Sequence, residues 1–218
     1  MRQVLGIGVA SALAIAVGSI FSAQAGAAVI TGVTATSNST YPGVDRLAAY
    51  TVNGSGMTAG QASNAPAGTM WLSNDGAAVA SPTITFNLGG LYNLTGANVW
   101  NYNESGGTGR GINAVSVQEA GADAVFTTIA NLNLTQATGL STYTGQAIEL
   151  AGTAQYIRFI NLTSFTYPAG FVGNTDAVVG LSEIAFSGNS AAVPEPASMA
   201  LLLVGAAGAV LAGRRQQD

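Results

Sequence analysis

The chain has no cysteine, no histidine and no lysine among its 218 residues. No disulfide can brace it, so a domain of this size must be held by its core or by a metal. Without His and Cys there are no usual zinc ligands, no thiol nucleophile and no Ser-His-Asp triad. Charge is scarce too: Asp, Glu, Lys and Arg make up 7% of the residues, for a formal net charge of −4. Between the termini, Arg46, Arg110 and Arg158 stand against Asp45, Asp75, Glu104, Glu119, Asp123, Glu149, Asp176 and Glu183. Three cations against eight acids do not neutralise a phosphate backbone, which argues against nucleic acid as a partner. The acids are scattered and none sits in a motif for paired-carboxylate glycoside chemistry, so the chain does not read as an enzyme. Asn, Thr, Ser and Gly are abundant instead. They suit an extracellular surface that meets neutral polymers.

Long apolar runs occur at the two ends. Met1-Arg2 is followed by small apolar residues from Val4 to Phe21, then Ala23-Gln24-Ala25. That order predicts a secretory signal peptide over residues 1–25. At the other end, Pro194-Glu195-Pro196 precedes a 16-residue apolar run from Ala197 to Ala212, then Gly213-Arg214-Arg215. As a helix the run would span roughly 24 Å, a little short of a ~30 Å hydrocarbon core. The two arginines would be held on the cytoplasmic side, and the prolines break the helix at the membrane surface. An uncleaved single-span anchor is the plain alternative.

Between these segments, short alternating runs are separated by Gly, Asn and Pro, the pattern of an all-β domain. Strands are expected at Val29 to Ala35, Thr83 to Leu88, Leu94 to Tyr102, Ile112 to Glu119, Phe126 to Leu132, Ala147 to Leu150, Tyr156 to Leu162 and Val179 to Phe186. Ile84, Phe86 and Leu88 should point inward from the second, and Val115 and Val117 should share a face of the fourth. About eight strands predict a single β-sandwich, a jelly roll in particular. An immunoglobulin-like sandwich and a solenoid are the alternatives. Asn53 to Thr69, Glu104 to Gly111 and Ser164 to Asp176 read as loops, where binding function usually sits.

The tail, with Pro194, Glu195, Pro196, the apolar helix and then Arg214 and Arg215, resembles the PEP-CTERM sorting tail of Gram-negative bacteria. That resemblance implies recognition by an exosortase, insertion in the inner membrane before processing, and a destination among exopolysaccharide-producing, biofilm-forming cells. The middle of the chain resembles the discoidin-like, galactose-binding jelly rolls. The resemblance rests on Val52-Asn53-Gly54-Ser55-Gly56-Met57, Trp71-Leu72-Ser73, Pro82 to Gly89, Val99-Trp100-Asn101-Tyr102-Asn103-Glu104 with Gly109-Arg110-Gly111-Ile112, and Gly180 to Gly188. It implies an eight-stranded sandwich over residues 28–188 that binds rather than catalyses, joined by a linker over 189–193 to the tail over 194–218. It also implies a structural Ca2+ held by Asn53, Ser55 and Glu183, although Asn53 stands where the family's turn has Asp. For Glu183 the other reading is pairing with Arg46, or solvation.

Trp71 and Trp100 lie in or beside strands and are expected to pack in the core rather than stack on a ligand. Arg110, between two glycines, is expected to pair with Glu104 or with backbone carbonyls as a clamp. Phe165, Tyr167 and Phe171 are the ligand candidates, since aromatics in a polar loop have fewer places to be buried. Asn174 and Asp176 would bind sugar hydroxyls beside them, with exopolysaccharide the expected partner.

Overall fold

The computed structural model describes residues 27–74, 81–165 and 178–191. The expected signal peptide and the expected tail helix lie outside the described residues. Among the described residues no helix is long and apolar enough to cross a membrane.

Among the described residues, eleven strands carry the fold: β1 Ala28–Val29, β2 Thr34–Ser37, β3 Met57–Thr58, β4 Gln61–Ala62, β5 Trp71–Leu72, β6 Ile84–Asn101, β7 Ile112–Ala120, β8 Thr127–Asn133, β9 Gln146–Ile148, β10 Gly152–Ser164 and β11 Gly180–Ser190. Two short 3-10 turns, Ala48–Thr51 and Thr108–Arg110, are the helical content of the described residues. β3 and β4 form a small hairpin, and the other nine strands form one hydrogen-bonded network.

That network doubles back on itself through β6. The first part of β6 pairs with β2 on one side and β10 on the other, and β10 leads on to β7 and β8. Its last part pairs with β9 and β11, and β11 carries β1 and β5. Phe86, in the first part, meets the Phe159 ring at 5.3 Å and the Phe186 ring at 5.2 Å, both edge-on. Phe186 is registered with Ala97 in the last part of β6. One strand thus supplies both layers, and the three rings sit between them.

The inward residues are those the alternation requires. Ile84, Phe86, Leu88 and Val117 are fully buried and Val115 nearly so. Each such side chain contributes roughly 1.5–3 kcal/mol relative to exposure.

The strand boundaries differ from the sequence reading at several places. The strand expected to end at Leu88, before Gly89-Gly90, and the next one, expected from Leu94, are a single 18-residue strand. Gly89 takes a φ of +81° and its N–H donates to Asn87 Oδ1 at 2.9 Å, so the glycine bends the strand without ending it. The run from Val29 to Ala35 breaks into β1 and β2. The expected loop from Asn53 to Thr69 contains the β3–β4 hairpin. β11 runs on to Ser190, and the Ala191 N–H donates to Leu91 O.

Candidate functional site

The connections of one end of the sandwich converge on the stretch after β6. Asn101 is fully buried; its Nδ2 donates to Ile112 O and Thr135 O, and its Oδ1 accepts from the Tyr102 and Ile112 N–H groups. Asn103, also fully buried, donates to the carbonyls of Ala62, Ser63 and Leu140 and accepts from Gly139 N–H. These two amides replace regular ladder bonds where the chain leaves the sheet. Glu104 is thereby held against two guanidiniums. Arg110 Nη1 donates to Glu104 Oε2 at 2.7 Å and Arg46 Nη2 lies 4.0 Å from Oε1. Tyr102 Oη donates to Glu104 Oε2 at 2.8 Å. Burial, then the Glu104 carboxylate, pushes the Tyr102 hydroxyl up to about 12, so it stays neutral and donates.

The Arg110–Glu104 clamp is the one the sequence suggests. Arg46 is the unexpected member: it is buried, its Nε has no partner among the described residues, and its acid is Glu104 rather than Glu183. Arg110 keeps 45% of its side chain exposed. The cluster holds two cations against one carboxylate, leaving guanidinium N–H groups at an open end of an otherwise acidic domain.

The expected aromatic loop is anchored at this same end. β10 ends at Ser164, registered with Ile112 at the start of β7. On return, the Val179 N–H donates to Ser73 Oγ and Val179 O accepts from Ser73 N–H. Gly180 then bridges to Gly111. Phe165 is half-buried at the exit of β10. Tyr167, Phe171, Asn174 and Asp176 lie outside the described residues.

The proposed cation ligands come together in part. Gly54 N–H faces both carboxylate oxygens of Glu183 at 3.3 Å, and Asn53 Oδ1 accepts from Ser55 N–H at 2.9 Å. Glu183 is 7% exposed and is neither solvated nor paired with an arginine among the described residues. Burial, relieved in part by the Gly54 N–H, pushes its carboxyl up to about 7. No three acids gather anywhere among the described residues.

The tryptophans are structural. Trp71 is fully buried and its Nε1 donates to Ser39 O; Trp100, 9% exposed, donates to Gly60 O.

The sequence pattern of the PEP-CTERM protein-sorting motif matches residues 192–216. The chain therefore carries that motif, which implies an exported, membrane-anchored precursor processed by an exosortase. Among curated proteins no sequence matches the chain. Solved structures share the fold. The family-32 carbohydrate-binding module of Clostridium perfringens NanJ, solved with galactose, has a TM-score of 0.52 at 13% identity, covering 74% of this chain and 98% of that one. The module CpGH89CBM32-5 of the same organism, solved with GalNAc-β-1,3-galactose, gives 0.51 at 15% identity, covering 73% and 99%. The C-terminal domain of a Bacteroides fragilis chitobiase gives 0.52 at 14%, covering 76% and 99%. The architecture is the jelly-roll sandwich of these modules.

Proposed function

We propose that the chain is an exosortase-sorted protein of the cell envelope or biofilm matrix of a Gram-negative bacterium, and that its sandwich binds extracellular carbohydrate. The observation that carries the binding half is the loop-bearing end of the fold. There the ends of the 165–177 connection are fixed against β7 and Ser73, beside a half-exposed Arg110 whose cluster has more cation than acid. Loops held on a rigid β scaffold are where binding is usually built. Phe165, Tyr167 and Phe171 would stack on sugar rings, and Asn174 and Asp176 would bind hydroxyls. Two of the similar folds, the NanJ module and CpGH89CBM32-5, were solved with saccharides bound, which supports the reading by analogy of architecture.

The Glu183 cradle is the proposed place for a structural Ca2+. A buried carboxylate without a cationic partner among the described residues supports this, because burial of an uncompensated charge is costly. Asn53, Ser55 and loop carbonyls would supply further oxygens.

A glycan array and polysaccharide pull-down with the purified protein, with and without calcium, tests the binding. Binding that disappears in Tyr167→Ala or Phe165→Ala supports a carbohydrate-binding module with its site on this loop. A folded protein that binds nothing would leave a structural matrix or coat protein.

A further inference from the structure

The outward face of the β10–β7–β8 sheet, which runs up to the loop-bearing end at Ser164 and Ile112, is polar and nearly free of charge. Register places Thr36, Thr85, Arg158, Gln118 and Thr128 in one row across five strands. Arg158 is already engaged: its Nε and Nη2 donate to Gln118 Oε1, and its guanidinium covers the Phe126 ring at 3.8 Å.

Beyond that row the sheet opens. Between Ile160 and Thr163 the register of β10 against β7 slips, and Asn161 takes a φ of +53°. Asn is one of the few side chains that accept this left-handed conformation. The bulge borders a hollow lined by Ala114, Val115, Ser116, Asn131, Leu132, Asn133 and Asn161. Asn161 Nδ2 donates to Ser116 Oγ at 3.2 Å, and Ser116 Oγ donates to Asn131 Oδ1 at 2.7 Å. The chain of donation runs one way. It leaves Asn161 Oδ1 to accept and Asn131 Nδ2 to donate, on exposed residues.

We infer that this hollow is a second saccharide subsite, taking an internal stretch of a neutral glycan. Adjacent sugar hydroxyls each donate and accept, which is what this amide pair and Asn133 offer. No acid or cation lines the hollow, so a neutral chain meets no desolvated charge. The site lies on a sheet face, so it does not require a chain end. It rests on the carbohydrate-binding reading above.

The test is affinity electrophoresis of the full chain in a sugar-free zwitterionic detergent, with soluble galactan, galactomannan and dextran as probes. The variants are Asn131→Ala with Asn161→Gly, which keeps the backbone conformation, and Ala114→Met, which fills the hollow and removes no hydrogen bond. Phe165→Ala serves as the loop comparison. Losing two hydrogen bonds should weaken the dissociation constant for a retarding polysaccharide about five- to tenfold. Near-ultraviolet dichroism should be unchanged, and Ala114→Met covers the case in which the double variant unfolds. Wild-type affinity in a folded hollow variant overturns the subsite and leaves the loop reading standing. No retardation of the wild-type chain by any probe overturns both.

Discussion

Glu183 is a buried acid and Glu104 a partly buried one, and they are held in opposite ways. The Glu183 carboxyl has one backbone N–H for company and sits at about 7. Below about pH 4.5 the folded and unfolded states both carry its proton. As pH rises from there to 7, the unfolded state releases the proton while the folded state keeps it, so stability falls across that window. The loss is on the order of 3 kcal/mol. Thermal melting in chelator should therefore show a lower midpoint at pH 7.5 than at pH 5, and Glu183→Gln should flatten that slope. Millimolar calcium should raise the midpoint at pH 7.5 in the wild type and leave Glu183→Gln unmoved. A calcium response equal in both would remove the cation proposal. Glu104 instead compensates the buried Arg46, and it accepts from Tyr102 and the half-exposed Arg110. Glu104→Gln leaves Arg46 buried without an anion. Denaturant unfolding should show a loss of about 2–4 kcal/mol, most of it traceable to Arg46 rather than to the exposed Arg110 pair.

At the scale of elements, the sandwich depends on close crossings that leave no room for a side chain. Gly180 opens β11 where it passes Tyr102 and Trp71. A Cβ there would lie 2.4 Å from the Tyr102 ring and 2.8 Å from Trp71 O. The backbone carbonyl cannot retreat without breaking the β5–β11 pairing at Leu72. Gly180→Ala should cost several kcal/mol, at the upper end of the ~1–3 kcal/mol typical of overpacking, and should appear as a lower melting midpoint or loss of soluble protein. Phe86→Ala, which empties the ring cluster shared by the two layers, should cost about 3–5 kcal/mol in the same measurement. The inward alternation of Ile84, Phe86 and Leu88 was legible in the sequence because a period of two is local. The union of two expected strands into β6 was not. Gly-Gly reads as a turn, and only the pairing partners on both sides of Gly89 show that the strand continues. The Asn101 and Asn103 staples were hidden for a similar reason. Their carbonyl partners lie up to 41 residues away in sequence, and a buried Asn looks in sequence like any loop Asn. Arg46 meeting Glu104 rather than Glu183 is likewise a long-range outcome that no local spacing encodes.

For the whole molecule, the proposed function divides the work between the motif over 192–216, which would address the protein, and the sandwich, which would meet what is there. If the division holds, each half should fail without the other failing. Replacing Pro194, Glu195 and Pro196 with alanine leaves the apolar run and Arg214 and Arg215 in place, so membrane insertion should persist while processing stops. In a host that carries an exosortase, the variant should collect in the inner-membrane fraction at full precursor mass, and the wild type should shift to a shorter form at the surface or in the matrix. In a host lacking the enzyme the two should fractionate alike. The precursor's polysaccharide binding should be the same for both chains, because the three replaced residues lie outside the strands described for the sandwich. A variant that is still shortened and released would show that Pro-Glu-Pro is not what the processing enzyme reads. A variant that is retained but also loses binding would tie the tail to the fold, whose strands among the described residues run from Ala28 to Ser190.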